Sequence, residues 1–206
     1  MSAPLLYVVS APSGGGKTSL VNALLERDER VALSVSHTTR APRPGEKDGV
    51  HYYFVSEQEF EDLAHQGAFL EHARVFDHCY GTGRSEVERQ LAAGYDVLLD
   101  IDWQGARQIR ESFPAARTIF ILPPSLSVLR ERLIGRGQDS PAVIARRKRA
   151  ARAETSHAPE FDFLIVNDDF GAALADLHAI IRQGGPTRDG QNQRSREILA
   201  ELLETG

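Results

Sequence analysis

The nine residues Ala11-Pro-Ser-Gly-Gly-Gly-Lys17-Thr18-Ser19 combine the residue types that hold a polyphosphate. Ser13, Gly14, Gly15 and Gly16 let the backbone bring its N–H groups close to phosphate oxygens. Lys17 can reach the terminal phosphates, and the Thr18 hydroxyl can ligate Mg2+. The pattern is G-x-x-x-x-G-K-[ST] with alanine at the first position, so Ala11 is expected to keep an ordinary negative φ. A glycine-rich turn that merely caps a helix is the plain alternative. The loop points to a nucleoside triphosphate and leaves the reaction open.

Carboxylates form the second group. Asp100-Ile101-Asp102 follows the apolar run DVLL. At the carboxyl end of a parallel strand, a carboxylate can hold a metal or its waters. Strand alternation would set Asp100 and Asp102 on one side, with Mg2+ relieving their repulsion. Asp102 could equally cap the helix that begins near Gln104. A third group lies in the segment Ser36 to Glu46, SHTTRAPRPGE. Its prolines restrict the loop, and the Arg40 and Arg43 forks suit bidentate phosphate binding, with Tyr52 and Tyr80 as hydroxyl donors. A solvated proline-rich loop remains a rival reading of this segment.

These groups need a scaffold. Continuous apolar runs at Leu5–Ser10, Asp96–Ile101, Thr118–Leu122 and Phe163–Val166 suit strands buried on both faces. Helical patterns at Lys17–Arg27, Gln104–Phe113, Leu126–Ile134 and Ala172–Ile181 alternate with them. The expected fold class is α/β, a parallel sheet wrapped by helices. The stretch 36–94 has another texture. It carries a short strand at His51–Val55, a looser one at Ala68–Phe76, and capping-box patterns at Ser56/Glu59 and Ser85/Glu88. Ser140 and Pro141 start an Arg- and Ala-rich helix. The organisation predicted is a core of 1–35, 95–135 and 158–206, an α+β insertion over 36–94, and a helical lid over 136–157. A closing helix is expected at Arg196–Leu203.

Composition narrows the class. In 206 residues, 41% are hydrophobic and 26% charged, as in a globular domain, and the net charge is −5. Without a basic bias, a general nucleic-acid binder is not indicated. No apolar run is long enough to span a bilayer, and no signal-peptide pattern opens the chain. Cys79 is the single cysteine, so no internal disulfide forms. The default expectation is the cytoplasm. Assembly into a homo-oligomer is left open.

The segments SVSHTTRAPRPGE, DGVHYYFV, FLEHA, YGT, LLDIDWQG, RLIGRG and IVNDD follow APSGGGKTS in this order. Together they resemble the guanylate kinase family in its bacterial form, over roughly residues 4–184. The resemblance implies Mg2+-dependent transfer of the γ-phosphoryl group of ATP to GMP or dGMP, giving ADP and GDP by direct in-line transfer. By position it implies that Arg40, Arg43, Tyr52 and Tyr80 hold the GMP phosphate. Ser36, Glu71 and Thr82 match the guanine readers, and Asp102 is counted with the GMP side. Thr18 and Asp100 are assigned to the metal. Lys17, Arg132 and Arg147 match residues at the transferred phosphoryl group, and Arg136 and Asn167 match residues of the adenine side, beside Ser13 to Ser19. Glu46 matches an acidic position without an assigned role. The rivals are a noncatalytic guanylate-kinase-like binding module and a kinase for another phosphorylated acceptor.

Overall fold

In the computed structural model, residues 3–75, 77–135, 150–184 and 193–204 are described. The chain divides into two compact units, Met1–Leu6 with Arg30–Ala116 and Tyr7–Glu29 with Arg117–Gly206. The architecture is α/β, with parallel strands, helices between them, and a second sheet within 37–83.

The second unit contains the phosphate loop. Strand β1 (Leu6–Ser10) is buried at every position and leads through the loop into α1 (Lys17–Arg27). β1 pairs in parallel with β8 (Arg117–Leu122), which pairs in parallel with β9 (Phe163–Val166). Five of the six β8 residues are buried, which is why the segment reads as an unbroken apolar run. The Asp162 carboxylate accepts the N–H and hydroxyl of Thr118, each at 2.8 Å, and so ties the starts of β8 and β9. Asp28 ends α1 and receives His178 Nε2 at 3.1 Å and Arg182 Nε from α7 (Phe170–Gln183). This fixes the helix behind the phosphate loop to its neighbour.

Helix α5 (Leu126–Gly135) and the described part of α6 (150–155) meet through Leu129 and Ala151. The chain closes with α8 (Gln193–Glu204), longer than expected, because Ser195, Ile198 and Leu202 bury one helical stripe. Arg136, Ser140, Pro141 and Arg147 lie outside the described residues, as does most of the predicted lid.

The first unit holds β2 (Val31–Leu33), parallel to β7 (Asp96–Asp100). It also holds a four-stranded sheet in the order β4-β3-β6-β5, formed by β3 (His37–Thr38), β4 (Tyr53–Phe54), β5 (Phe69–Val75) and β6 (His78–Gly83). The strands β2 and β6 are not legible in the sequence, being short or interrupted by Gly81 and Gly83. Helix α2 (Glu57–His65) starts at the expected capping box: Ser56 Oγ accepts from the Glu59 N–H, and the Glu59 carboxylate accepts from the Ser56 N–H at 2.8 Å. The second expected box fails. Helix α3 (Arg84–Ala92) begins directly after Gly83 with no side-chain cap, so Ser85 is already inside the helix.

Strand β7 stops at Asp100, and α4 (Trp103–Ser112) begins after Asp102. Asp102 keeps an extended backbone, and between it and Asp100 only Ile101 is buried; of the two readings of Asp102, the structure shows the helix-capping one. Its Oδ1 accepts the Gly105 N–H at 2.9 Å, the N-cap geometry.

Candidate active site

The phosphate loop is shaped by local backbone chemistry. The Gly15 N–H bonds back to the Pro12 carbonyl at 2.8 Å, closing a tight turn. Gly14 and Gly16 take φ of 91° and 90°, in the left-handed region that favours glycine. Gly16 is doubly constrained, since a Cβ there would lie 2.2 Å from Asn167 Nδ2. Gly16 also serves as N-cap of α1, whose first turn contains no acidic residue. A helix N-terminus of this kind suits an anion. Lys17, Thr18 and Ser19 open that helix, and Thr18 is exposed.

Three side chains of the same unit surround the loop. Asn167 follows β9, is buried, and donates from Nδ2 to the Gly15 carbonyl at 2.9 Å. Its carboxamide is therefore engaged with the loop backbone. Arg132 of α5 donates from Nη2 to the Asn167 carbonyl at 3.0 Å. Arg132 Nη1 is buried and finds no hydrogen-bond partner among the described residues. It lies 4.0 Å from the position a Gly16 Cβ would occupy. Glu154 of α6 accepts the Ser13 N–H at 3.0 Å. Sequence reasoning passed over Glu154, a lone carboxylate after an arginine-rich run. A cavity of about 320 Å³ in this unit is lined by Leu164, Val166, Asp176 and Ser195 and contains none of these residues.

The first unit carries a separate polar constellation on its four-stranded sheet. Arg40, with a side chain only 11% exposed, donates to Glu46 through Nη2 at 2.8 Å and Nη1 at 2.9 Å. Burial, the largest single influence, disfavours the charged guanidinium, but the hydrogen bonds and charges of Glu46 and Tyr80 outweigh it and raise the Arg40 pKa. Glu46 is held below the usual carboxylate range, first by the Arg40 hydrogen bond, against a smaller burial cost. It also accepts the Arg43 N–H at 2.7 Å. The unassigned acidic residue is thus the clamp that orients Arg40. Arg43 itself is exposed and joins through its backbone.

Arg40 lies 5.3 Å from the Tyr52 ring centroid, and the Tyr52 and Tyr80 rings are 6.0 Å apart. Burial, assisted by the charge of Asp100, pushes the Tyr52 phenol up to about 12. It therefore stays a neutral donor across the physiological range. Two residues beyond Tyr80 on β6, Thr82 is fully buried and donates from Oγ1 to Glu71 Oε1 at 2.6 Å. Tyr80 and Thr82 project from one face about 7 Å apart along the strand.

Glu71 is 3% exposed, not the surface carboxylate that a half-exposed strand would give. The cause is a register shift between Phe69 and Glu71 in the β5–β6 pairing. It breaks the two-residue alternation, so Phe69, Leu70 and Glu71 are buried in succession. Ser36, just before β3, is also buried. The structure thus gathers Lys17, Arg132 and Asn167 around the phosphate loop in one unit. It gathers Arg40, Tyr52 and Tyr80, and separately Glu71 and Thr82, in the other.

A Lys-Thr phosphate loop closed by an arginine, together with a sheet-borne arginine–tyrosine cluster and a buried carboxylate–hydroxyl pair, defines a P-loop kinase of the nucleoside monophosphate class. A family model described as Guanylate kinase matches residues 4–184. Among curated relatives, the guanylate kinase of Alkalilimnicola ehrlichii is 58% identical over 96% of this chain and 98% of its own. That of Photobacterium profundum is 57% identical over 98% and 99%. The crystal structure of guanylate kinase from Anaplasma phagocytophilum superposes with a TM-score of 0.75 at 35% identity, covering 97% of this chain and 95% of that one. The chain belongs to the guanylate kinase family.

Proposed function

We propose that this chain transfers the γ-phosphoryl group of ATP to GMP, giving ADP and GDP, by direct in-line displacement. Membership of the family makes it an ATP:GMP phosphotransferase; the residue roles, the metal and the course of transfer are the present reading. The observation that carries it is the buried Nη1 of Arg132, without a hydrogen-bond partner among the described residues, beside a phosphate loop that leads into a helix with no acidic residue in its first turn. A desolvated cationic donor without an acceptor is costly in the folded chain, and an anionic oxygen would complete it.

Lys17 and the loop N–H groups would bind the ATP phosphates, while Arg132 meets charge that develops on the transferred group. Arg136 and Arg147 are proposed to join from the lid. Asn167 holds Gly15 in the loop conformation. Arg40, oriented by Glu46, would grip the GMP phosphate with Arg43, Tyr52 and Tyr80. Glu71 would accept the neighbouring N1–H and N2–H of guanine, with Thr82 steadying the carboxylate; Ser36 and Asp102 are proposed to line this side. Adenine has an acceptor at N1 and no amino group at C2, so AMP supplies neither hydrogen bond, a mismatch that can discriminate by about 10⁴ or more. The acceptor phosphate already carries anionic oxygens, so positioning supplies the acceleration and no strong base is required.

Thr18 and Asp100 are proposed as oxygen donors for Mg2+, an ion bound by few protein ligands plus substrate phosphates. Bound there, Mg2+ would neutralise phosphate charge. No helix of the described residues is long and apolar enough to cross a membrane, and a cytoplasmic site of action is proposed. An intact phosphate-loop lysine and an arginine poised beside it favour catalysis over a binding module.

A coupled ADP-release assay with Mg2+, comparing GMP, dGMP and AMP as acceptors, tests the reading. Turnover with GMP and dGMP is expected, little with AMP, and a fall of about 10²-fold or more in Lys17→Ala. Equal use of AMP, or no GMP turnover by folded protein, would overturn it.

A further inference from the structure

Gly105 is the third residue of α4, and its N–H is the one that Asp102 caps. It is buried, and its backbone is not in the left-handed region. Backbone freedom therefore does not explain the glycine, and alanine is the better helix former at such a position. What explains it is the neighbour. A Cβ at Gly105 would stand 2.4 Å from Glu71 Oε2 and 3.0 Å from its Cδ, with Ile101 Cδ1 at 3.1 Å. The Glu71 carboxylate thus lies against bare helix backbone on one side and takes the Thr82 hydroxyl on the other oxygen.

We propose that Gly105 is a positioning residue for acceptor-base choice. Its missing side chain lets the Glu71 carboxylate seat against the first turn of α4. A carboxylate fixed there presents acceptor oxygens, as reading two purine N–H groups requires. Glu71 is nearly fully buried and flanked by Ile101, so it has little room to retreat. A methyl group at 105 displaces the carboxylate from the line on which it meets the purine edge. The proposal rests on the reading of Glu71 as the guanine acceptor.

The test uses the full chain as wild type, Glu71→Ala, Gly105→Ala and the double variant. The measurements are kcat/KM for GMP and AMP, KM for ATP, and melting temperature. In Gly105→Ala the GMP-over-AMP ratio should fall about tenfold or more, with KM for ATP unchanged. In the Glu71→Ala background the carboxylate is gone and only Ile101 Cδ1 stays close, so adding Gly105→Ala should leave the ratio unchanged. This arm also serves if the single Gly105→Ala variant does not fold. A ratio preserved in folded Gly105→Ala overturns the proposal. So does a double variant that loses selectivity beyond Glu71→Ala. If Glu71→Ala itself keeps the wild-type ratio, the reading of Glu71 fails, and this proposal with it; if that ratio relaxes while Gly105→Ala leaves it intact, only the role of Gly105 fails.

Discussion

Side chains that touch no substrate decide how those that do are aimed. Arg40 carries the charge, but Glu46 fixes its direction through two hydrogen bonds. An arginine on a free loop would lose rotamer entropy on binding, and the clamp removes part of that cost beforehand. Arg40 keeps donors beyond the pair it gives Glu46, so the clamp need not compete with phosphate. Glu46→Ala is therefore expected to raise KM for GMP about tenfold, with a smaller effect on kcat and none on KM for ATP. Steady-state kinetics with each substrate varied checks this, and a lowered KM for GMP would show that Glu46 competes with the phosphate instead. The relation was hidden in the sequence because Arg40 and Glu46 meet only through the turn in which the Glu46 N–H bonds the Arg43 carbonyl at 3.0 Å.

Among the elements, the four-stranded sheet carries the proposed acceptor constellation, and its stability is expected to depend on pH. His37 on β3 packs against the rings of Tyr53 and Phe69 at 4.8 Å and 5.3 Å, with Nδ1 buried and without a hydrogen-bond partner among the described residues. Burial lowers its pKa; the Gly81 backbone and Asp48 oppose this more weakly. The folded state thus binds its proton at lower pH than the unfolded chain does. This contribution to stability is present above the ordinary histidine value of about 6.5 and is lost as pH falls through that value toward the folded pKa. Between pH 7.5 and pH 5.5, wild-type protein should lose more melting temperature than His37→Gln. An equal loss in both would show that other groups set the acid limit. The β5 bulge belongs to this scale as well, since it breaks the alternation just before the buried Glu71.

Across the whole molecule, the two constellations fall in different units and should report their ligands separately. A ligand at about 100 times its Kd stabilises the folded state by about 2.7 kcal/mol. In a chain of this size that is a rise in melting temperature of about 5–10 °C. GMP and a nonhydrolysable ATP analogue should each produce such a rise in wild-type protein. Glu71→Ala should lose most of the GMP response and keep that of the ATP analogue, while Lys17→Ala should do the reverse. Thermal scans with each ligand decide it; responses lost together in both variants would show a single shared site.

The sequence by itself determined the phosphate loop, the helix behind it and the apolar strands, because these depend on local spacing and on burial along one continuous segment. It also determined the family, because the ordered motifs span nearly the whole chain. Tertiary structure alone decided which groups meet across long separations. Asn167 reaches the Gly15 carbonyl from 152 residues away, Glu154 reaches the Ser13 N–H from 141, and the bare backbone of Gly105 makes room for Glu71. No local pattern encodes these meetings, because each follows from where two separately folded segments are brought together by packing.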